Sequence, residues 1–295
     1  VAEVMPKRSR PVMSSIFHAS SVFGTLLAAA VGYFILADKP WGENTWKLGF
    51  LIGVLPALLT LWIRWKLHEP ERWQKAKEAE AEDESQATGR LSELFTPKNA
   101  RGTLLGVALA TIGLVTFWGC HIYGKNALMR AAEAEALRTE NFTAAVPVKQ
   151  KDEKETAFKA RKDHWKQQRK SALDKHESSI KKAEMSSMTL NTIGGGLGLV
   201  LFGAISNHLG RRGAFMLYHL GAFVMALLMF MVLIPKGAST TTLSVALPIF
   251  GFLTLGMHAG YAVYFPELYP TRLRGTGTGF CFNMGRVGSA IYLFI

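Results

Sequence analysis

Arg286 is the residue of this 295-residue chain whose setting most suggests chemistry. It is the one charged residue well inside an apolar run, eleven positions past Gly275. On a helix rising 1.5 Å per residue that is about 16 Å, near the middle of a bilayer. A charge at such depth is costly and marks a functional site by default. A guanidinium there can hold a solute carboxylate through two parallel hydrogen bonds. It can also pair with an acidic residue on another helix, or snorkel in a purely structural role. Asn283 stands one turn away and can share the site.

Histidine is the second polar type that recurs in or beside apolar runs, at His18, His121, His208, His219 and His258. Imidazole changes charge near neutral pH and so suits proton coupling, although a satisfied structural histidine is the simpler role for any one of them. His121 and His208 fall near the ends of apolar runs, where an interfacial role is expected. No pair has the i, i+4 spacing of metal ligands, so no metal site is read. Cys120 and Cys281 both sit in apolar runs, without the spacing of a disulfide framework or a zinc site. No nucleophile–base cluster or carboxylate pair lies in the apolar runs, so neither an enzyme nor a cofactor is expected. Asn191, Trp118 and Tyr261 are candidates for lining a cavity, with core packing as the other reading.

These residues are carried by segments of two kinds. The chain is 19% charged with net charge +12, against roughly 25% charged in soluble domains. Of its 56 charged residues, 41 fall in 64–101 and 125–184. Segment 64–101 is neutral, 125–184 carries +5, and the rest of the positive charge is scattered between apolar runs. A single basic face for nucleic acid is therefore not indicated. Five apolar segments, 11–37, 102–124, 185–207, 213–235 and 238–265, pass the length of about twenty residues needed to cross a bilayer. Segment 48–63 reaches that length if Trp46 anchors one end and Arg64 snorkels at the other, and 275–295 is a seventh candidate. The lipid bilayer is thus the first partner expected. The Lys/Arg bias of the short loops places Lys7, Arg8, Arg10, Arg211, Arg212, Arg272 and Arg274 on the cytoplasmic side.

Segment 125–184 then lies outside, as a long loop that is translocated regardless of its charge. Its Lys, Glu and Ala predict charged helices projecting from the membrane. Phe158, Trp165 and Ala172 recur every seven residues, a stripe too weak for a coiled coil. Asn141-Phe142-Thr143 forms a glycosylation triplet of a kind that arises readily by chance. GxxxG spacing, as at Gly194/Gly198, reads as close helix packing. The run 194–198 is not a phosphate loop, because no Gly-Lys-Ser/Thr follows it.

An internal repeat organises these spans. Glu3-Val4-Met5-Pro6-Lys7-Arg8-Ser9-Arg10 and Glu267-Leu268-Tyr269-Pro270-Thr271-Arg272-Leu273-Arg274 share the pattern Glu-x-x-Pro-x-Arg-x-Arg. Each copy precedes an apolar span, with Gly24 and Gly288 at the same offset, and the two copies stand six spans apart. Parallel six-helix repeats are the plan of a large class of transporters.

Here the chain resembles the major facilitator superfamily, in particular its sugar and metabolite:proton symporter branches. Residues 266–275, Pro-Glu-Leu-Tyr-Pro-Thr-Arg-Leu-Arg-Gly, are similar to the family's motif between helices ten and eleven. His68-Glu69-Pro70-Glu71-Arg72-Trp73 looks like the motif that follows helix six in sugar porters. Residues 203–212 match the Gly-x-x-x-Asp-x-x-Gly-Arg-Arg loop between helices eight and nine, with Asn207 in place of the family's Asp. The resemblance implies an all-α polytopic fold of about seven out of twelve transmembrane helices, a fragment from the end of helix four to helix eleven. It divides the chain into 1–66 (helices five and six), a cytoplasmic linker 67–100, helix seven at 101–124, the external insertion 125–184, and helices eight to eleven at 185–295.

The resemblance also implies roles. A small organic solute, an organic acid or a sugar-like metabolite, would bind at Arg286, Asn283, His258, Asn191 and Trp118. Protons would couple through His258, whose helix lines the family's cavity, and His18 at its flank. Glu3, Arg8, Arg10, Asn207, Arg211, Arg212, Glu267, Arg272 and Arg274 would gate, with Arg211 and Arg212 bridging to Glu267 and the Arg272/Arg274 end of helix eleven. Asn207 would weaken that latch by removing a carboxylate. The expected protein is a multi-pass, monomeric secondary transporter of a plasma membrane, the bacterial inner membrane. The other function considered is a transporter-like sensor whose insertion 125–184 binds a partner.

Overall fold

The computed structural model describes residues 5–6, 8–66, 89–151 and 153–294, with residues 74 and 78 between them. Glu3 and most of the expected linker 67–100 therefore lie outside the described residues. Among the described residues every regular element is helical. We number the main ones α1 (Arg10–Leu36), α2 (Gly42–Lys66), α3 (Ala100–Thr139), α4 (Glu155–Asp174), α5 (Glu177–Leu233), α6 (Thr240–Leu268) and α7 (Arg274–Phe294). α1, α2, α3, α5 and α6 are long and apolar enough to cross a membrane. α7 has the length, with a more polar sequence that includes Asn283 and Arg286.

At 57 residues α5 is too long for one crossing, since a bilayer core needs only about 20. Gly210 resolves this. Its φ of 71° and ψ of 168° belong to a region open essentially to glycine alone. The chain turns there, and the sequence-expected spans 185–207 and 213–235 become two arms, 177–209 and 211–233, joined at a single residue. α2 runs well beyond the 48–63 read from sequence, because it continues through Trp46 at one end and Arg64 at the other.

Small residues set the packing, as expected where apolar burial cannot drive helices together. α6 lies against α5, and α7 lies along α3, with Gly285 against Ala110 and Gly288 against Thr111. α1 runs antiparallel to the first arm of α5, pairing Pro11 with Gly203, Val22 with Gly196 and Gly32 with Met185. The aromatic core between these helices contains Phe202, Phe215, Tyr218, Tyr261 and Phe265. A second cluster, built on Leu128, Met229, Leu247 and Phe250, seals the opposite end.

The helices of the insertion 125–184 are tied to one another and to the α1–α2 turn. The end of α3, α4 and the start of α5 are joined by Arg169–Glu133 at 2.8 Å and by Lys175 and His176 on Glu140. Ser178 and Lys182 then donate to Asp38 in the α1–α2 turn at 2.6 and 2.9 Å, and Lys39 pairs with Glu177 at 2.7 Å. The Ser178 hydroxyl and the Lys182 ammonium hold the Asp38 carboxyl below its ordinary range. Such exposed pairs fix orientation more than they add stability. The seven-residue stripe packs on the chain before α4: Trp165 donates to the Ala144 carbonyl at 2.9 Å and its ring meets Phe142.

Candidate functional site

Three helices meet around His121. Its Nδ1 lies 2.7 Å from Thr254 Oγ1 on α6, and its Nε2 lies 3.0 Å from Asn191 Nδ2 on α5. Thr254 donates in turn to the Phe250 carbonyl at 2.7 Å. All three side chains are buried. The interfacial role expected of His121 is thereby corrected. The sequence places it near a span end, but residues Thr116–His121 form a π-helical turn, whose extra residue re-aims the side chain inward.

His258 completes the cluster from α6. The Phe117 ring stands between the two imidazoles, 4.7 Å from His121 and 4.8 Å from His258. Two buried atoms here have no hydrogen-bond partner among the described residues, Asn191 Oδ1 and His258 Nε2. Buried polar atoms are almost always satisfied, so each such exception calls for an explanation. His18, half-buried on α1, lies within electrostatic reach of His258. Trp118 is 44% exposed, its ring edge-on to Phe117.

Arg286 and Asn283 lie apart from this cluster, on the face of α7 turned away from α3. Both are exposed, and no described helix covers that face. The guanidinium sits 4.8 Å over the Phe282 ring, with Nη1 3.4 Å from Asn283 Oδ1. No ion pair to Arg286 is formed among the described residues. An aromatic ladder joins it to the histidines: Phe282 stands 6.2 Å from Tyr261, and Tyr261 stands 5.5 Å from His258.

The arginine-rich end holds the expected Arg211–Glu267 bridge and differs from the sequence expectation around it. Arg211 grips Glu267 with two hydrogen bonds of 3.0 and 2.7 Å, and its remaining nitrogen donates to Ser206 Oγ at 2.6 Å. Ser206, not the exposed Asn207, therefore supplies an acceptor for Arg211. Arg212 is exposed and forms no ion pair among the described residues, and Arg8 is likewise exposed. Arg272 pairs with Glu93, a residue that sequence reasoning passes over, and the Gly89 N–H donates to the Arg272 carbonyl at 3.1 Å. The Arg272 guanidinium holds the Glu93 carboxyl below its usual range. Arg10 and Arg274 share a cavity of about 270 Å³ with Ser14 and Glu267.

The Arg211–Glu267 pair is partly exposed, at 26% and 45% of the two side chains, so a single break costs little. Glu267→Gln should speed thiol labelling of a cysteine placed at Ser14 by roughly two- to fivefold, the scale of an exposed pair. The charge-swapped Arg211→Glu/Glu267→Arg protein should restore the original rate. Equal labelling of all three proteins would mean that the pair gates nothing.

The profile of the Major Facilitator Superfamily matches residues 1–293. The chain belongs to that superfamily. It is a multi-pass membrane protein, and the sequence resemblance holds over essentially its whole length. The cis,cis-muconate transport protein of Acinetobacter baylyi is 26% identical over 293 residues, which are 99% of this chain and 58% of that protein. The "Probable 4-methylmuconolactone transporter" of Cupriavidus pinatubonensis is 24% identical over 97% of this chain and 54% of its own. The chain thus spans a little over half the length of these curated relatives. No solved structure matches it. Within this superfamily member, the sequence gives no pointer to the pairing of His121 with Thr254 or to Glu93. A threonine amid apolar residues carries no signal of its own. Glu93 is hidden in a run of sixteen charges.

Proposed function

We propose that the protein carries a small organic acid across a bacterial plasma membrane by alternating access, coupled to protons. In this reading 1–66 belongs to one helical half, 67–100 is the linker, and 101–124 with 185–295 belongs to the other half, interrupted by the insertion 125–184. The observation that carries it is Arg286, a guanidinium midway along a membrane-length helix with no ion-pair partner among the described residues. A fork of N–H donors suits a carboxylate, and the named relatives are transporters of muconate and of methylmuconolactone. Asn283 would add a neighbouring donor. His258, Asn191 and Trp118 would form the inner side of the site, and His258 and His18 would serve the coupling proton.

Alternating access would rock the halves about this region, with Arg10, Arg211, Glu267, Arg272 and Arg274 closing the cytoplasmic mouth. The test is uptake of cis,cis-muconate into proteoliposomes with and without an acid-outside pH gradient. The expected result is saturable uptake, accelerated by the gradient. Uptake indifferent to the gradient would replace symport by facilitated diffusion. No uptake of muconate or of other small carboxylates would overturn the substrate class.

A further inference from the structure

The hydrogen bonds around His121 admit only one assignment on Thr254. Its hydroxyl carries a single hydrogen, and the Phe250 carbonyl 2.7 Å away can only accept. Thr254 therefore donates to Phe250, so His121 Nδ1 carries a hydrogen and donates to Thr254 Oγ1. In the neutral ring Nε2 is then an acceptor, and the Asn191 amide presents its NH2 to it. This leaves Asn191 Oδ1 facing away from the ring without a partner among the described residues.

The same geometry satisfies a charged ring in one other way. If a proton from the aqueous phase binds Nε2, that nitrogen becomes a donor. The amide must then rotate by half a turn about its Cβ–Cγ bond and offer Oδ1 instead. The rotation itself breaks no covalent bond, and when the amide turns back the Nε2–H bond breaks and its proton returns to water. Gly251 faces the amide, and a Cβ there would lie 2.8 Å from Oδ1, so glycine leaves the room for the rotation. Phe117 and Phe250 flank the imidazole at 4.7 and 6.0 Å, tilted by only 21° and 13°. Aromatic faces in that arrangement favour a cation.

We infer that His121 is a proton-binding residue of this protein and that the Asn191 amide reads its charge, exposing an acceptor when the ring is neutral and donors when it is charged. The turned amide places two N–H groups where Oδ1 stood, a position with no hydrogen-bond partner among the described residues. The charged state is therefore favoured only when the helices part and a solute carboxylate supplies the acceptor, so proton and acid bind together. The titratable groups facing the ring are His258 from α6 and Lys125 from its own helix. His18 and His219 in turn face His258. The groups bonded to the ring from α5 and α6, Asn191 and Thr254, do not titrate. This inference rests on the proton-coupled reading above and goes beyond it by naming the residue and the mechanism.

The test compares muconate uptake by the reconstituted whole protein and two variants across external pH. His121→Gln reproduces both bonds of the neutral ring but cannot take a proton. It should lose the response to an acid-outside gradient. Asn191→Asp should stabilise the charged ring and move the pH profile to the alkaline side by about one unit or more. A wild type indifferent to the gradient would refute the coupled reading itself. If the wild type responds and His121→Gln responds with the same pH profile, this inference alone falls and His121 is a structural brace. Should His121→Gln fail to insert, an unshifted profile in Asn191→Asp overturns the inference by itself.

Discussion

Arg286→Ala should abolish carboxylate uptake while leaving insertion and folding intact. The two halves of that expectation come from opposite faces of α7. The face toward α3 carries Gly285, Gly288 and Ser289, and it makes the packing contacts. Arg286 projects from the other face, where its contacts are the Phe282 ring and a long bond to Asn283. Truncating it removes no buried contact and orphans no buried partner.

A bidentate carboxylate clamp is a different matter. Hydrogen bonds to charged groups are worth about 1.5–3 kcal/mol each, so losing two weakens binding by roughly 100-fold or more. Arg286→Lys keeps the charge but loses the fork, and should fall between, at about a tenfold loss. The measurement is the muconate concentration dependence of uptake in proteoliposomes of matched protein content. Wild-type uptake by the Ala variant would remove Arg286 from the site.

Much of the scaffold is legible in the amino-acid sequence. The apolar runs mark the helices, because a span of about twenty residues free of charge has few other uses. Arg286 and the Glu267 repeat are legible for the complementary reason, as charges where charge is expensive or in a matched frame. The rest depends on register. His121 points inward from a π turn at Thr116–His121, and no composition signals where a helix gains a residue. Thr254 and Asn191 matter because their helices cross there, and each alone looks like an ordinary polar residue in a span. The insertion's partners are not legible either: Glu177, Ser178 and Lys182 find theirs in Asp38 and Lys39, some 140 residues away in sequence. Glycine spacing is the middle case: it announces close packing without saying which helix comes close.

Gly194 shows what that spacing controls, and Gly194→Val should prevent the folded protein from accumulating. A Cβ at this position would lie 1.9 Å from the Pro248 carbonyl oxygen and 2.4 Å from its carbon. These are backbone atoms, so no rotamer change relieves the clash, and α5 and α6 must move apart. Overpacking of side chains already costs about 1–3 kcal/mol, and a backbone clash lies at or above the top of that range. Pro248 sharpens the constraint, because a proline inside α6 removes a backbone donor and bends the helix locally. The two helices are therefore shaped to each other at this crossing. The displacement would also reach the site, since Asn191 lies one turn before Gly194 and its bond to His121 spans only 3.0 Å. Gly194→Ala should still insert but should lose thermal stability in detergent. Its counterflow should fall with it, because even a single methyl cannot fit. Gly24→Ala is the control, as nothing lies within 4 Å of a Cβ there, and it should match the wild type in both measurements. A Gly194→Val protein as stable as the wild type would mean that α5 and α6 do not cross this closely.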